Sequence, residues 1–176
     1  NIRNEQLKNN LLQAIPFWIG SVITGFFAVM YAKIFAWGEN LLHFILNWHD
    51  WMIFLIAPVG FVLSWWLVKE FAPYAKGSGI PQVMAAVELA NPKEHKKIRS
   101  LLSLKIIVFK IISSVVLVIG GGAVGREGPT IQIAGSIFRK VNEYLPEWWP
   151  KISKKNMIMT GAAAGLAAAF NTPLGG

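Results

Sequence analysis

The sequence predicts an all-α, polytopic membrane protein with tilted and re-entrant broken helices. Hydrophobic residues make up 54% of the 176 residues and charged residues only 15%, whereas soluble domains are about a quarter charged. Four long stretches carry no charge at all: residues 9–32, 51–68, 111–125 and 156–176. These few charges cannot cover the surface of a water-soluble protein. Most of the surface of this protein must therefore face an apolar environment.

The sequence predicts three membrane-spanning helices, at residues 9–32, 51–68 and 106–119, the last of which overlaps the third uncharged stretch. About 20 apolar residues at a rise of 1.5 Å cross the roughly 30 Å hydrocarbon layer. Buried helices of a large soluble protein are the alternative, but the chain has too little polar sequence to cover them. The second stretch also has the tryptophans of an interfacial aromatic belt, namely Trp48, Trp51, Trp65 and Trp66.

The distribution of basic residues predicts the orientation. Residues 93–105 carry five cations against one acid, and residues 139–155 carry five against two, which is typical of cytoplasmic loops. Residues 33–50, with one cation against two acids, are predicted to connect the first two spans outside. We therefore expect a multi-pass protein of the inner membrane with a cytoplasmic N-terminus.

The return from the third span is predicted to be irregular. Only residues 120–138 are available for it, and they contain six glycines, a proline and a charge pair. Non-helical backbone at membrane depth is tolerated only where it is buried in protein or lines a cavity. We therefore expect a broken, re-entrant helix in this segment.

Two short strings predict helix N-termini inside the membrane. Each places glycine before a proline near the first helical position, where the missing N–H has no cost. One precedes residues 82–89 and the other precedes residues 130–138. The first string consists of Gly77, Ser78, Gly79, Ile80 and Pro81, and the second of Gly125, Arg126, Glu127, Gly128 and Pro129.

Buried helix N-termini are suited to binding anions. They present unpaired N–H groups and roughly half a positive charge, and glycines let an ion approach the backbone. Two such ends in one membrane protein indicate an anion pathway built from broken helices. Either string taken alone is also compatible with a helix break at a packing contact.

The ionisable residues inside the apolar segments are Lys110, Arg126 and Glu127, and each is costly in hydrocarbon unless it faces a cavity or a partner. Lys110 and Arg126 can raise the positive potential that holds an anion. Glu127 competes for the anion site when ionised and can leave when protonated, which makes it a gate and a proton carrier. An Arg126–Glu127 pair that only holds the turn is the alternative. The Ser78 hydroxyl can donate to an anion or act as an ordinary N-cap.

Other chemistries find little support. Gly120, Gly122 and Gly125 form G-x-G-x-x-G after an apolar run, with Glu143 near the offset of a ribose-binding acid. A dinucleotide-binding oxidoreductase would need a second strand there, but residues 141–150 contain two prolines and a tryptophan pair. Without cysteine there is no disulfide or thiolate metal site. We expect no enzyme activity, cofactor, metal or nucleic-acid partner.

Three strings resemble those of the CLC chloride channels and proton-coupled chloride transporters. They are GSGIP at residues 77–81, GREGP at 125–129 and GAAAGLAAAFN at 161–171. Lys110 also stands where the family carries a lysine before its second string. The resemblance extends from about residue 11 to the end, and the short connections are similar to those of bacterial members.

The resemblance implies a homodimer in a lipid bilayer, in which each subunit has its own chloride pathway between two inverted halves. Ser78 would supply a hydroxyl to the central anion site, with Gly79 and Ile80 beside it. The amides of Arg126, Glu127 and Gly128 would line the outer site, with Glu127 as the gating glutamate. A serine at position 78 is similar to chloride-selective members, whereas nitrate-preferring relatives have a proline.

The resemblance also implies that residues 1–176 are the N-terminal portion of a CLC transmembrane domain, without the second inverted half. The inner glutamate of proton-coupled members would lie beyond residue 176. Chloride/proton exchange is the preferred function, and a passive, voltage- or proton-gated chloride channel is the alternative. Gly161 and Gly165, four residues apart, predict close helix packing.

Overall fold

The computed structural model describes residues 2–90 and 95–172, and these ranges contain helices but no strand. Two 3₁₀ helices, Asp50–Met52 and Pro73–Ala75, accompany seven α-helices. The all-α prediction is confirmed. In chain order the helices are α1 (Ile2–Trp48), α2 (Ile53–Phe71), α3 (Ile80–Glu88), α4 (His95–Leu101), α5 (Leu104–Ile119), α6 (Glu127–Glu143) and α7 (Lys154–Phe170).

The first helix is longer than predicted. It continues without a break through residues 33–48, so the predicted connection between the first two spans is wrong for all but its last residues. At 1.5 Å per residue its 47 residues extend about 70 Å. Lys33 and Glu39 are isolated charges in residues 33–48, and Gly38 packs against α5, where an added Cβ would lie 3.4 Å from Val115.

Three segments are long and apolar enough to cross a membrane: Asn10–Trp48, Asp50–Phe71 and Lys97–Ile119. They correspond to the three predicted spans, although the third begins earlier than residue 106. The chain is therefore a multi-pass membrane protein. Many large apolar side chains on α1 and α2 remain exposed in the structure, which agrees with an apolar surrounding.

The sixth helix lies at the centre of the packing. Every residue from Gly128 to Phe138 is buried, and α6 contacts α1, α5 and α7. Close packing at the third string is confirmed, since a Cβ on Gly161 would lie 2.8 Å from the Phe138 Cβ and one on Gly165 would lie 2.7 Å from the Ala134 Cβ. The packing partner is α6 of the same chain.

The irregular return after the third span is confirmed in part. Helix α5 ends at Ile119, Gly121 has φ +77°, and no helix forms until Glu127. The end of α5 lies against α2, where a Cβ on Gly60 would lie 2.8 Å from the Gly120 Cα. Helix α6 is longer than the predicted residues 130–138.

The dinucleotide-binding alternative is wrong. The apolar run before the glycines belongs to α5 rather than to a strand. Helix α5 is hydrogen-bonded to two neighbouring helices. Tyr31 of α1 donates a 2.9 Å hydrogen bond to the Ser114 hydroxyl, and Ser64 of α2 donates one of 2.9 Å to the Ser113 carbonyl. The β-strand that a dinucleotide-binding turn requires is thus replaced by a buried helix.

Candidate anion site

Both predicted helix N-termini are present. Gly79 precedes α3 with φ +98°, a conformation that favours glycine, and α3 starts at Ile80 with Pro81 in its second position. Helix α6 starts at Glu127, with Pro129 in its third position. Each proline therefore occupies a first-turn position, where no intrahelical bond needs its missing N–H.

The starts of the two helices are in direct contact. A Cβ added to Gly128 would lie 2.7 Å from the carbonyl oxygen and 2.9 Å from the Cβ of Ser78. Backbone therefore packs on backbone at this point, and only glycine leaves the necessary space. The structure brings together two strings that are 50 residues apart in the sequence.

A cavity of about 580 Å³ lies at this contact. Both helix starts, the loop before α6 and the facing parts of α2 and α5 form its wall. The lining residues are Ser64, Val68, Ala75, Lys76, Gly77, Ser78, Ile80, Lys110, Ser113, Ser114, Leu117, Ala123, Val124, Gly125, Glu127, Gly128 and Pro129. The wall thus contains most of the predicted site residues, whereas Gly79, Pro81 and Arg126 lie outside it.

Backbone donors are available at the start of α6. The first hydrogen bond of this helix runs from the Thr130 N–H to the Arg126 carbonyl, at 3.0 Å. The amides of Glu127 and Gly128 therefore have no intrahelical acceptor, and Pro129 has no N–H. Since Glu127 and Gly128 both line the cavity, the positive end of the α6 dipole lies at its wall.

The amides of α3 are partly satisfied. The Ile80 N–H donates a long 3.4 Å hydrogen bond to the Ser78 hydroxyl oxygen, and the first bond within the helix joins the Val83 N–H to the Gly79 carbonyl at 3.1 Å. Ser78 is exposed to the cavity, and its hydroxyl hydrogen remains able to donate. The N-cap interpretation of Ser78 is wrong, because Gly79 is the N-cap of α3 and Ser78 lies one residue before it.

Lys110 fixes the loop before α3. Its side chain is only 2% exposed, and its Nζ donates hydrogen bonds of 2.7 Å to the Ala75 carbonyl and 2.6 Å to the Gly77 carbonyl. A buried ammonium group needs such partners. Lys110 therefore does more than contribute potential, because it pulls carbonyls that precede α3 towards itself and holds Ser78 in place.

The side chains of Glu127 and Arg126 lie in different environments at the start of α6. The half-buried Glu127 lines the cavity, and its carboxylate turns back against Gly125, occupying the space where a Cβ would stand. Arg126 is exposed. In the described part of the chain no ion pair joins these two residues, so the alternative of a pair that holds the turn has no support.

Gln132 is a positioning residue that the sequence interpretation missed. It is fully buried in α6, and its Nε2 donates to the carbonyls of Tyr74 at 3.1 Å and Leu101 at 3.2 Å. A Cβ on Gly79 would lie 2.7 Å from its Cβ and its Oε1. The sequence feature that could have indicated Gln132 is its position four residues after Gly128, which places both residues on the same face of α6.

The residues described here do not offer a metal site. Within residues 2–90 and 95–172, no group of three or more His, Cys, Asp or Glu side chains is placed to hold a metal ion. The chemistry of the cavity is instead that of amides, hydroxyls, the ammonium groups of Lys76 and Lys110, and one carboxylate.

The fold and the cavity together define a multi-pass helical membrane protein with two helix starts at a polar cavity. Residues 60–176 match the family model described as voltage gated chloride channel. The chain belongs to this family, the CLC chloride channels and transporters. The family resemblance given by the three strings is therefore confirmed.

Similar proteins include three bacterial relatives, each named H(+)/Cl(-) exchange transporter ClcA. The chain is 35% identical to that of Citrobacter koseri over 162 residues, which cover 88% of this chain and 32% of the relative. It is 34% identical over 161 residues to those of Salmonella arizonae and Salmonella paratyphi B, with the same coverage. The chain therefore spans about a third of the length of the curated relatives it matches.

Proposed function

We propose that the full-length protein transports chloride across the membrane in exchange for protons, and that chloride passes through the cavity at the starts of α3 and α6. The observation that carries the proposal is the contact between Ser78 and Gly128, because it brings two helix N-termini to one cavity. The proton-coupled form is supported by the relatives named as exchange transporters.

Chloride would be held largely by backbone and hydroxyl donors and by the partial charges of helix ends. The amides of Glu127 and Gly128 and the Ser78 hydroxyl are donors at the cavity wall, and each helix end adds roughly half a positive charge. Lys110 adds a buried positive charge at the same wall, although its hydrogens are used by two carbonyls. Such a site attracts an anion yet lets it leave, as transport requires.

Glu127 would be the gate. Its carboxylate belongs to the first residue of α6 and lines the cavity, so in the ionised form it competes with chloride for the same amides. Protonation removes that competition and loads a proton on a group that can move. One residue would thus couple the two ions.

The remaining parts of the proposal concern the whole protein. Residues 1–176 would form the first of two inverted halves, and two subunits would form a homodimer with one pathway each. The basic segments 93–105 and 139–155 support a cytoplasmic position for those loops and for the N-terminus, in the inner membrane. Ser78, which lines the cavity, would favour chloride over nitrate.

Chloride-driven proton uptake in liposomes tests the proposal. The full-length protein should take up protons against their gradient when a chloride gradient is imposed, and Glu127→Gln should abolish proton movement. Glu70→Gln is the matched control, since Glu70 is an exposed carboxylate outside the cavity. Chloride flux without proton movement in the unaltered protein would establish the channel alternative. Unchanged coupling in Glu127→Gln would remove Glu127 as the gate.

A further inference from the structure

A second polar cavity lies at the opposite end of α6. Its volume is about 410 Å³, and three helices contribute to its wall: α4 with Arg99, α6 with Arg139 and Glu143, and α7 with Lys154. Arg139 is 12 residues from the start of α6, which corresponds to about 18 Å along the helix. The cavity is therefore separate from the one at Ser78 and Glu127.

The charges in this cavity are only partly neutralised. Three cations face one acid, and that acid is shared, because the Glu143 carboxylate lies 2.8 Å from the Lys140 Nζ and 3.4 Å from the Arg139 Nη2. The hydrogen bond from Lys140, together with the charges of Arg139 and Arg99, holds the pKa of Glu143 below its usual range. A net positive charge remains on the cavity wall.

Arg139 has an unused donor. Its side chain is 12% exposed, and its buried Nε has no hydrogen-bond partner among the described residues. A buried donor without a partner is destabilising, and the Arg139 side chain lines the cavity. The fork of an arginine is suited to the oxygens of a phosphate group.

Aromatic side chains indicate the depth of this cavity in the membrane. Tyr144 directly follows α6 and Trp148 lies four residues further along the chain; the two side chains are 73% and 74% exposed. Trp149 packs against Trp148, with ring centroids 5.3 Å apart, and donates a hydrogen bond of 3.0 Å to the Leu12 carbonyl. Exposed Tyr and Trp side chains are typical of the headgroup level of the bilayer.

From these observations we propose that the cavity between α4, α6 and α7 binds the phosphate group of an anionic phospholipid. The headgroup enters from the membrane surface, and Arg139 donates to the phosphate while Arg99 and Lys154 surround it. Basic pockets between membrane helices recognise lipid headgroups in this way. Glu143 competes with the phosphate for Arg139 and limits the affinity.

Native mass spectrometry of the full-length protein tests this site, with phosphatidylglycerol as the probe, phosphatidylcholine as the neutral lipid and inorganic phosphate as the soluble ion. We expect bound phosphatidylglycerol, and an affinity at least about tenfold lower in the double variant Arg99→Gln/Lys154→Gln. Both residues are exposed, so the fold should tolerate the change. Glu143→Gln should raise the affinity severalfold.

The control is Lys151→Gln/Lys155→Gln, which removes two exposed cations of the same region that do not line the cavity. An equal loss of lipid in this variant would overturn the proposal in favour of diffuse attraction to the membrane surface. Binding of inorganic phosphate without binding of the lipid would overturn it as well, and so would equal binding of phosphatidylcholine.

Discussion

Replacing Gly128 by alanine should separate the two helix starts. The new Cβ would lie 2.7 Å from the Ser78 carbonyl oxygen, 2.9 Å from its Cβ and 3.2 Å from its carbonyl carbon. Favourable contacts between carbon atoms lie at about 3.5–4.0 Å, so the helices must move apart by roughly 0.5–1 Å. Two of the three clashing atoms belong to the backbone, and a rotamer change cannot relieve those contacts.

The expected cost of Gly128→Ala follows from this overlap. Overpacking costs about 1–3 kcal/mol, and the better helix propensity of alanine returns up to about 1 kcal/mol. We therefore expect a net destabilisation of up to about 3 kcal/mol and at least about a tenfold lower chloride flux, since a 1 Å misplacement at a catalytic site can already cost about 100-fold.

Thermal unfolding and chloride efflux from proteoliposomes measure the two effects. Gly25→Ala is the matched control, because nothing lies within 4 Å of the added Cβ in the middle of α1. It should keep full flux and gain slightly in stability. If Gly128→Ala also kept full flux and stability, the contact between the helix starts would be refuted.

Three further substitutions test the residues that support the cavity. Lys110→Met should destabilise the protein by about 1–3 kcal/mol in thermal unfolding, because the buried Ala75 carbonyl and the partly buried Gly77 carbonyl lose a charged donor; Lys105→Met, at an exposed position of the same helix, should be nearly neutral. Gln132→Leu should cost about 2–4 kcal/mol by leaving the carbonyls of Tyr74 and Leu101 unpaired, and should lower chloride flux; a variant as stable as the unaltered protein would exclude Gln132 as a positioning residue. Gly165→Ala should cost about 1–3 kcal/mol, since the added Cβ meets the Ala134 Cβ at 2.7 Å; unchanged unfolding would contradict the close packing of α7 on α6.

Local signals predicted the helix starts. The glycine and proline pairs Gly79 with Pro81 and Gly128 with Pro129 favour a helix start through effects within a single helical turn. The sequence alone is therefore enough to indicate these starts. The apolar spans were visible for the same reason, because length and lack of charge suffice to indicate them. The continuation of α1 past residue 32 was missed, since an isolated Lys33 resembles the edge of a loop although it lies within a helix.

Long-range contacts could not be predicted. The contact of Gly128 with Ser78 and the bonds from Lys110 to the loop before α3 depend on how α3, α5 and α6 pack. Gln132 showed no motif, because its importance comes from two carbonyls that are 58 and 31 residues away. The sequence therefore predicted the two helix starts, but not the contacts that hold them together.

Anomalous diffraction from crystals of the full-length protein grown with bromide would test the central claim most directly, because bromide replaces chloride and is located by its scattering. We predict a peak in the cavity near the amides of Glu127 and Gly128 and the hydroxyl of Ser78. In Glu127→Gln crystals the peak should strengthen, since the competing carboxylate is gone. Bromide found only outside this cavity, in both proteins, would contradict the account.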